Sequence, residues 1–157
     1  MQLKNLPGGF ALGLIVGVAA SSGIATVVAH GNDRTAKNKA IAIEFYNRAL
    51  NQLDYDKAAE LIGDKYIQHN RHAVDGKEGL KNHLAMLKKD FPKNHGDIKR
   101  AIAEGDLVAL HINSKRTPDS RGNAIVDIFR IENGKVVEHW DVVQPVPEKS
   151  LNPNSMF

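Results

Sequence analysis

The spacing of apolar residues predicts helices in the first half of the chain. The first helix begins after Asp33 or Thr35, and its apolar positions recur every three or four residues. Those positions are Ile43, Tyr46, Leu50 and Leu53. A second, short helix is predicted over residues 56–62 and ends at Gly63.

A third helix is predicted after Asp75. Asp75 and Glu78 have the spacing of a capping box, in which the Asp75 side chain accepts from the first free N–H groups of the helix. The helix ends at Phe91-Pro92, because proline disfavours a helical residue before it. Its apolar stripe consists of Leu80, Leu84 and Leu87.

After Asp97 the pattern changes to that of β-strands. Strands are predicted over residues 98–103, 107–115, 124–131 and 136–144. The dipeptide Asn133-Gly134 indicates a two-residue hairpin, because both central residues of the favoured turn need positive φ. Helices followed by strands, with no Gly-rich or Pro-rich linker, predict one α+β domain. The domain spans residues 31–146, between a leader at 1–30 and an irregular tail at 147–157.

The hairpin also predicts which residues share a sheet face. If Asn133 and Gly134 are the loop residues, Asp127 lies directly opposite Trp140. By alternation the face of Asp127 carries Ile125, Phe129, Val142 and Gln144, and the other face carries Ile128, Arg130, His139 and Asp141. A lone aspartate in an apolar row predicts a buried carboxyl of raised pKa, suited to acid/base chemistry. The alternative is a structural aspartate bonded to a nearby donor.

The first thirty residues have the pattern of an export signal. Lys4 precedes an apolar stretch at residues 10–29, and Val27 and Ala29 occupy the positions before a cut at His30. This pattern predicts a periplasmic or secreted protein. The alternative is an uncleaved membrane anchor formed by residues 10–29, since about 20 apolar residues can cross a bilayer.

Composition and charge exclude several classes of site. The chain has 157 residues, a net charge of +3 and no cysteine, which rules out disulfides, thiolate catalysis and Cys-ligated metals. No run of basic residues is dense enough to predict nucleic-acid binding. A metal held by histidines stays an alternative, on the weak spacing of His69, His72, His83 and His95.

Three segments resemble the SnoaL-like branch of the nuclear transport factor 2-like superfamily. They are YIQHN at 66–70, AEGDLVA at 103–109 and VDIFRIENGKVVEHWD at 126–141, and the resemblance spans residues 37–146. It implies a cone-shaped, curved antiparallel sheet packed on three N-terminal helices around one apolar pocket, and a homodimer formed through the sheet. It also implies aldol-type ring closure without a metal or organic cofactor, with Asp127 as the acid/base.

The resulting hypothesis is an exported, cofactor-independent acid/base catalyst of aldol-condensation or cyclisation type, acting on a small apolar carbonyl compound. His69 and His111 join Asp127 in the predicted catalytic set, although the sequence leaves the facing of His111 open. Predicted substrate contacts are Asn70, Phe129, Trp140, Val142 and Gln144. The alternative is a non-catalytic protein that binds a small hydrophobic ligand in the same pocket.

Overall fold

The computed structural model describes the backbone from Ser22 to Phe157 and the side chains from Asp33 onward. In chain order the elements are α1 (Ser22–Tyr46), a π-helical turn (Asn47–Asn51), α2 (Tyr55–Ala59), β1 (Ile62–Gln68), α3 (Gly76–Asp90), β2 (His95–Glu104), β3 (Leu107–Lys115), β4 (Asn123–Glu132) and β5 (Lys135–Pro145). The apolar core of the predicted leader lies largely outside the described residues. Among the residues described, no helix has both the length and the apolar character of a membrane span.

The predicted α+β fold is confirmed. The strands form one five-stranded sheet in the order β1-β5-β4-β3-β2, and the helices pack on one face of it. The face under the helices is called the inner face here, and the opposite one the outer face. The sheet is mixed rather than wholly antiparallel, because β1 runs parallel to β5.

Strand β1 was missed by the sequence prediction, which placed a helix over 56–62. Helix α2 ends at Ala59, and Ile62 already begins the strand. Ile62 and Tyr66 are buried, but a register shift interrupts the pairing between Ile62 and Ile67. The strand therefore lacks the period-two alternation by which half-buried strands are recognised.

The first helix differs from prediction at both ends, since α1 ends at Tyr46 and the predicted stripe continues into the π-helical turn at Asn47–Asn51. Helix α1 begins at Ser22, before the predicted start. Helix α3 follows Asp75 as predicted, but the Asp75 side chain does not cap it. Its Oδ1 instead accepts from the backbone N–H of Gln68 at 2.8 Å, which ties the end of β1 to the start of α3.

The hairpin between β4 and β5 has the predicted turn and an unpredicted bulge. Asn133 and Gly134 have φ of 50° and 76°, as the two-residue turn requires. The register then shifts, because Ile131 pairs with Val136 whereas Arg130 pairs with Glu138. Val137 is the extra residue of a β-bulge, and it reverses the facing of every later residue in β5.

The predicted pairing of Asp127 with Trp140 was therefore wrong. Asp127 pairs with Asp141, and Phe129 pairs with His139 on the same inner face. Trp140 pairs with Ile128 on the outer face. The bulge thus exchanges the two sets of β5 residues between the faces.

The core lies between α1 and the inner face of the sheet. The Phe45 ring packs against the rings of Tyr66 and Phe129, with centroid distances of 6.3 and 5.5 Å. These contacts bring α1, β1 and β4 together next to the cavity described below.

Candidate active site

A cavity of about 380 Å³ opens between the helices and the inner face of the sheet. Its volume is within the range of small-molecule pockets. The apolar wall includes Phe45, Leu50, Leu80, Met86, Ile125 and Phe129. The polar side chains that line the cavity include Asp127, which is 7% exposed.

Asp127 forms a buried pair with His139. The Oδ1 atom of Asp127 lies 3.1 Å from Nε2 of His139, and the imidazole is 8% exposed. The histidine ring also stacks on Phe129, with centroids 5.0 Å apart. Asp127 Oδ2 has no hydrogen-bond partner among the described residues and is not sealed from the cavity. That oxygen is therefore open to a bound molecule.

The hydrogen bonds around Gln68 determine how many protons this pair holds. The backbone N–H of Asn70 donates to Gln68 Oε1 at 2.9 Å, so the atom it meets must be the amide oxygen. His139 Nδ1 lies 2.9 Å from the same oxygen and must carry a proton to bond it. One further proton is then shared between His139 Nε2 and Asp127 Oδ1. Either the aspartic acid donates to a neutral histidine, or the imidazolium donates to a carboxylate.

Burial raises the pKa of Asp127 above its ordinary value. The hydrogen bond and the charge of His139 lower that pKa, and the nearby carboxyl of Asp141 raises it. Burial dominates, so Asp127 binds a proton more tightly in the folded protein than in the unfolded chain. A raised pKa makes the Asp127 carboxylate a stronger base for proton transfer.

Asp141 stands beside the pair on the inner face. Its Oδ2 accepts from Asn70 Nδ2 at 2.5 Å, and Asn70 Oδ1 in turn accepts from the backbone N–H of His72 at 2.7 Å. Asn70 thus lines the cavity as predicted, with its amide held on Asp141.

Asp127, His139 and Asp141 are also the candidate metal group within the described residues. One ligand atom from each lies within 4.8 Å of the other two. A nitrogen and two carboxylate oxygens are ligand types that divalent metals accept. To bind an ion, His139 Nε2 would have to give up its bond to Asp127. The histidines considered from the sequence, His69, His72, His83 and His95, are not members of this group.

Two tyrosine hydroxyls complete the polar side of the cavity. Burial and the charge of Asp127 raise the pKa of both Tyr46 and Tyr66, so both phenols stay protonated. Tyr46 is positioned by close packing, since a Cβ built on Gly96 would overlap its hydroxyl. Neutral hydroxyls near Asp127 are donors suited to a developing enolate oxygen.

Two predicted site residues, His69 and Trp140, lie on the outer face, away from the cavity. The His69 ring stacks on Trp140, with centroids 4.7 Å apart and an interplanar angle of 4°. Glu138 joins this cluster, because it accepts from Arg130 Nε and contacts His69 Nε2, each at 2.8 Å. Trp140 lies on the outer face because the bulge at Val137 reverses the facing of the residues after it.

His111, Val142 and Gln144 also lie on the outer face, around a smaller groove of about 290 Å³. His111 Nδ1 is bonded to Arg100 at 2.9 Å, and its ring packs on Phe157 at 5.7 Å, so the irregular tail folds back over this face. Of the predicted site residues, the structure therefore brings Asp127, Asn70 and Phe129 together at the cavity.

Sequence reasoning missed His139, Asp141, Gln68, Tyr46 and Tyr66 as site residues. The doublet Val136-Val137 breaks the alternation at the bulge, but Val142-Val143 breaks it where the pairing is regular, so the sequence carried no distinctive signal for the first two. The tyrosines carried no separate signal, since Tyr46 falls in the apolar stripe of its helix.

The sequence profile of the SnoaL-like polyketide cyclase family matches residues 40–147. The chain belongs to this family. The comparison of this SnoaL-like protein with curated proteins found no match.

Solved structures share the fold. A candidate ketosteroid isomerase from Kribbella flavida has a TM-score of 0.59 at 15% identity, with 78% of this chain and 89% of that chain covered. A SnoaL-like protein from Burkholderia thailandensis has a TM-score of 0.57 at 18% identity, covering 69% and 95%. A cystatin-fold protein from Novosphingobium aromaticivorans has a TM-score of 0.56 at 24% identity, covering 67% and 97%. At these identities the likeness shows the fold.

We predict that Asp127→Asn changes the pH dependence of stability. Because the pKa of Asp127 is raised on folding, its favourable contribution is complete below the unfolded value of about 3.9 and is lost as pH rises through the folded value. The asparagine cannot titrate, and its amide can still donate to His139 Nε2. The free energy of unfolding of the variant should therefore rise relative to wild type as pH increases from about 4 to 8.

Urea unfolding at a series of pH values measures this difference. The matched control is Asp119→Asn, which neutralises an exposed loop carboxylate. The difference between its free energy of unfolding and that of wild type should not change with pH. The prediction would be contradicted if the free energy of unfolding of Asp127→Asn, relative to wild type, stayed constant or fell as the pH rises.

Proposed function

We propose that this SnoaL-like protein is an acid/base catalyst that removes a proton next to the carbonyl of a small apolar compound. The enolate then closes a ring in an aldol step or is reprotonated in an isomerisation. The observation that carries the proposal is the buried Asp127–His139 pair, which shares one proton inside an apolar cavity and keeps one carboxyl oxygen open to it.

In the first step, Asp127 removes a proton from the substrate. With the shared proton on His139, the Asp127 carboxylate accepts the α-proton through Oδ2. The electron pair of the broken C–H bond moves to the carbonyl oxygen, which becomes an enolate. The phenol of Tyr46 or Tyr66 stabilises that oxygen by donating a hydrogen bond.

The second step returns the proton. The enolate carbon attacks a second carbonyl of the same molecule, or is reprotonated at another position, and Asp127 gives its proton to the resulting alkoxide or carbon. The pair ends in its starting protonation state, so the cycle needs no other acid or base.

The family supports this class of reaction. SnoaL-like polyketide cyclases are ring-closing proteins by their description, and a structural neighbour is a candidate ketosteroid isomerase. Because one fold hosts many activities, the proposal rests on the Asp127 site more than on the fold.

Binding without chemistry is the second candidate, favoured by the apolar residues that make up much of the cavity wall. In that case the cavity sequesters a small hydrophobic ligand, and Asp127 affects affinity alone.

We predict that the wild-type protein accelerates deuterium exchange at the α-carbon of simple cyclic ketones, with 1-indanone and 2-tetralone as probes in deuterated buffer. Asp127→Asn should reduce the enzyme-dependent rate by about 100-fold or more, because the base is removed while its hydrogen bond to His139 is kept. Proton NMR of the ketones measures the exchange, and Asp119→Asn is the control that should retain it.

Two results would count against the proposal. No acceleration by the wild-type protein on either ketone favours the binding candidate. A rate that is lost in EDTA and restored by a divalent cation would assign Asp127, His139 and Asp141 to a metal rather than to unaided proton transfer.

We also propose a homodimer formed through the outer face. This face exposes Val142, Ile102 and Val126, whose exposed fractions are 67%, 66% and 37%. Apolar residues grouped on one face favour association.

Val142→Asp is predicted to lower the molar mass in light scattering from dimer to monomer. Val74→Asp, at a position 76% exposed outside the sheet, should leave the dimer intact, and a monomeric wild type would refute the idea.

Export by the leader is a further proposal, motivated by the apolar stretch at residues 10–29 and the cut predicted at His30. N-terminal sequencing of protein recovered from the cell envelope and medium should find a chain that starts at His30. An intact Met1 in the membrane fraction would instead indicate the anchor.

A further inference from the structure

Arg116 lies directly after β3 and lines the cavity that contains Asp127. Its guanidinium stands over the ring of Phe91, 5.7 Å from the centroid. Nη1 donates a long hydrogen bond of 3.4 Å to Asn94 Oδ1. Asn94 is itself held, because it is 5% exposed and donates to the backbone oxygen of Leu50 at 2.8 Å. Neutral groups thus hold the guanidinium in place.

No carboxylate in the described part of the chain pairs with this half-buried cation. By contrast, Arg48 bonds Glu44 and Glu60, and Arg130 bonds Glu138 and Asp106. Nε and Nη2 of Arg116 have no acceptor among the described residues. Burial lowers the pKa of Arg116, which reflects a charge held in poorly solvated surroundings without an anion to offset it.

The charges around the cavity favour the binding of an anion near Arg116. Asp127 and His139 together are neutral because they share one proton, and the carboxyl of Asp141 lies beside Asp127, where it accepts from Asn70 and raises the pKa of Asp127. His83 stays neutral near Arg116, since burial and the neighbouring cations lower its pKa.

Tyr46 connects the two ends of the cavity. Its hydroxyl is close enough to respond to the charges of both Asp127 and Arg116, and it hydrogen-bonds with Ser114. A neutral donor is therefore available in the same cavity as the proton-transfer pair and the cation. A ligand in the cavity thus has a base, a hydroxyl donor and a guanidinium among the side chains that line it.

We propose that the cavity takes an apolar carbonyl compound that also carries a carboxylate, and that Arg116 binds this carboxylate. The guanidinium offers the planar pair of N–H groups that matches a carboxylate. In this arrangement the α-carbon lies at Asp127, the carbonyl oxygen accepts from Tyr46 and the acid binds Arg116. The position of the carbonyl rests on the proposed function, whereas the anion site depends only on Arg116 and its surroundings.

The test compares two probes with the same naphthyl ring, the anion 2-naphthoate and its neutral ester methyl 2-naphthoate, by isothermal titration calorimetry. The wild-type protein should bind the acid about tenfold more tightly than the ester. Arg116→Gln should weaken binding of the acid about tenfold and leave the ester nearly unchanged. Arg100→Gln removes the same charge from the outer face and is the control that should change neither affinity.

Equal affinity of the wild-type protein for acid and ester, or tighter binding of the ester, would overturn the anion site. So would an acid preference that survives in Arg116→Gln. The wild-type comparison needs no variant, so it decides the question even if Arg116→Gln does not fold. Neither measurement requires turnover, so a failed ketone exchange leaves this result interpretable, and a failed acid preference leaves the role of Asp127 standing.

Discussion

One extra residue in β5, Val137, is the constraint on which the site depends. The bulge turns His139 and Asp141 toward the inner face, where they meet Asp127. Without it, alternation would leave Asp127 opposite Trp140, and the carboxyl would lack its proton-sharing partner. The bulge also leaves Glu138 and Trp140 to form the outer-face cluster with His69 and Arg130. A single bulge thus determines which polar side chains of β5 lie on each face of the sheet.

Burial of a carboxyl and an imidazole is costly unless each polar atom has a partner. A chain of bonds meets that requirement for both imidazole nitrogens and for Asp127 Oδ1, and leaves Oδ2 open to the cavity. The backbone of Asn70 orients the Gln68 amide, Gln68 sets which nitrogen of His139 carries a proton, and His139 meets Asp127. Asp75 holds the backbone of Gln68 from the start of α3. The protonation state of the site is therefore set by a strand end and a loop as well as by the sheet.

The cavity combines features that catalysis and binding both need. Apolar walls exclude water and strengthen the electrostatic effect of Asp127, the tyrosine hydroxyls and Arg116 on a bound molecule. Membership of the SnoaL-like polyketide cyclase family suggests a cyclase or isomerase type of function. An unpaired guanidinium at the same cavity narrows the proposed substrates to carbonyl compounds that are also acids.

The sequence alone determined the α+β class, the third helix, the last four strands and the Asn133-Gly134 turn, because local periodicity and turn chemistry decide these features. It also singled out Asp127, Asn70 and Phe129, which the structure brings to the cavity. Only the tertiary structure decided the facing of β5 and the existence of β1. A bulge shifts the register without changing composition, and β1 is held by parallel pairing with a strand more than sixty residues away. The partners of Asp127 come from such distant segments, and no local sequence pattern indicates which residues come into contact.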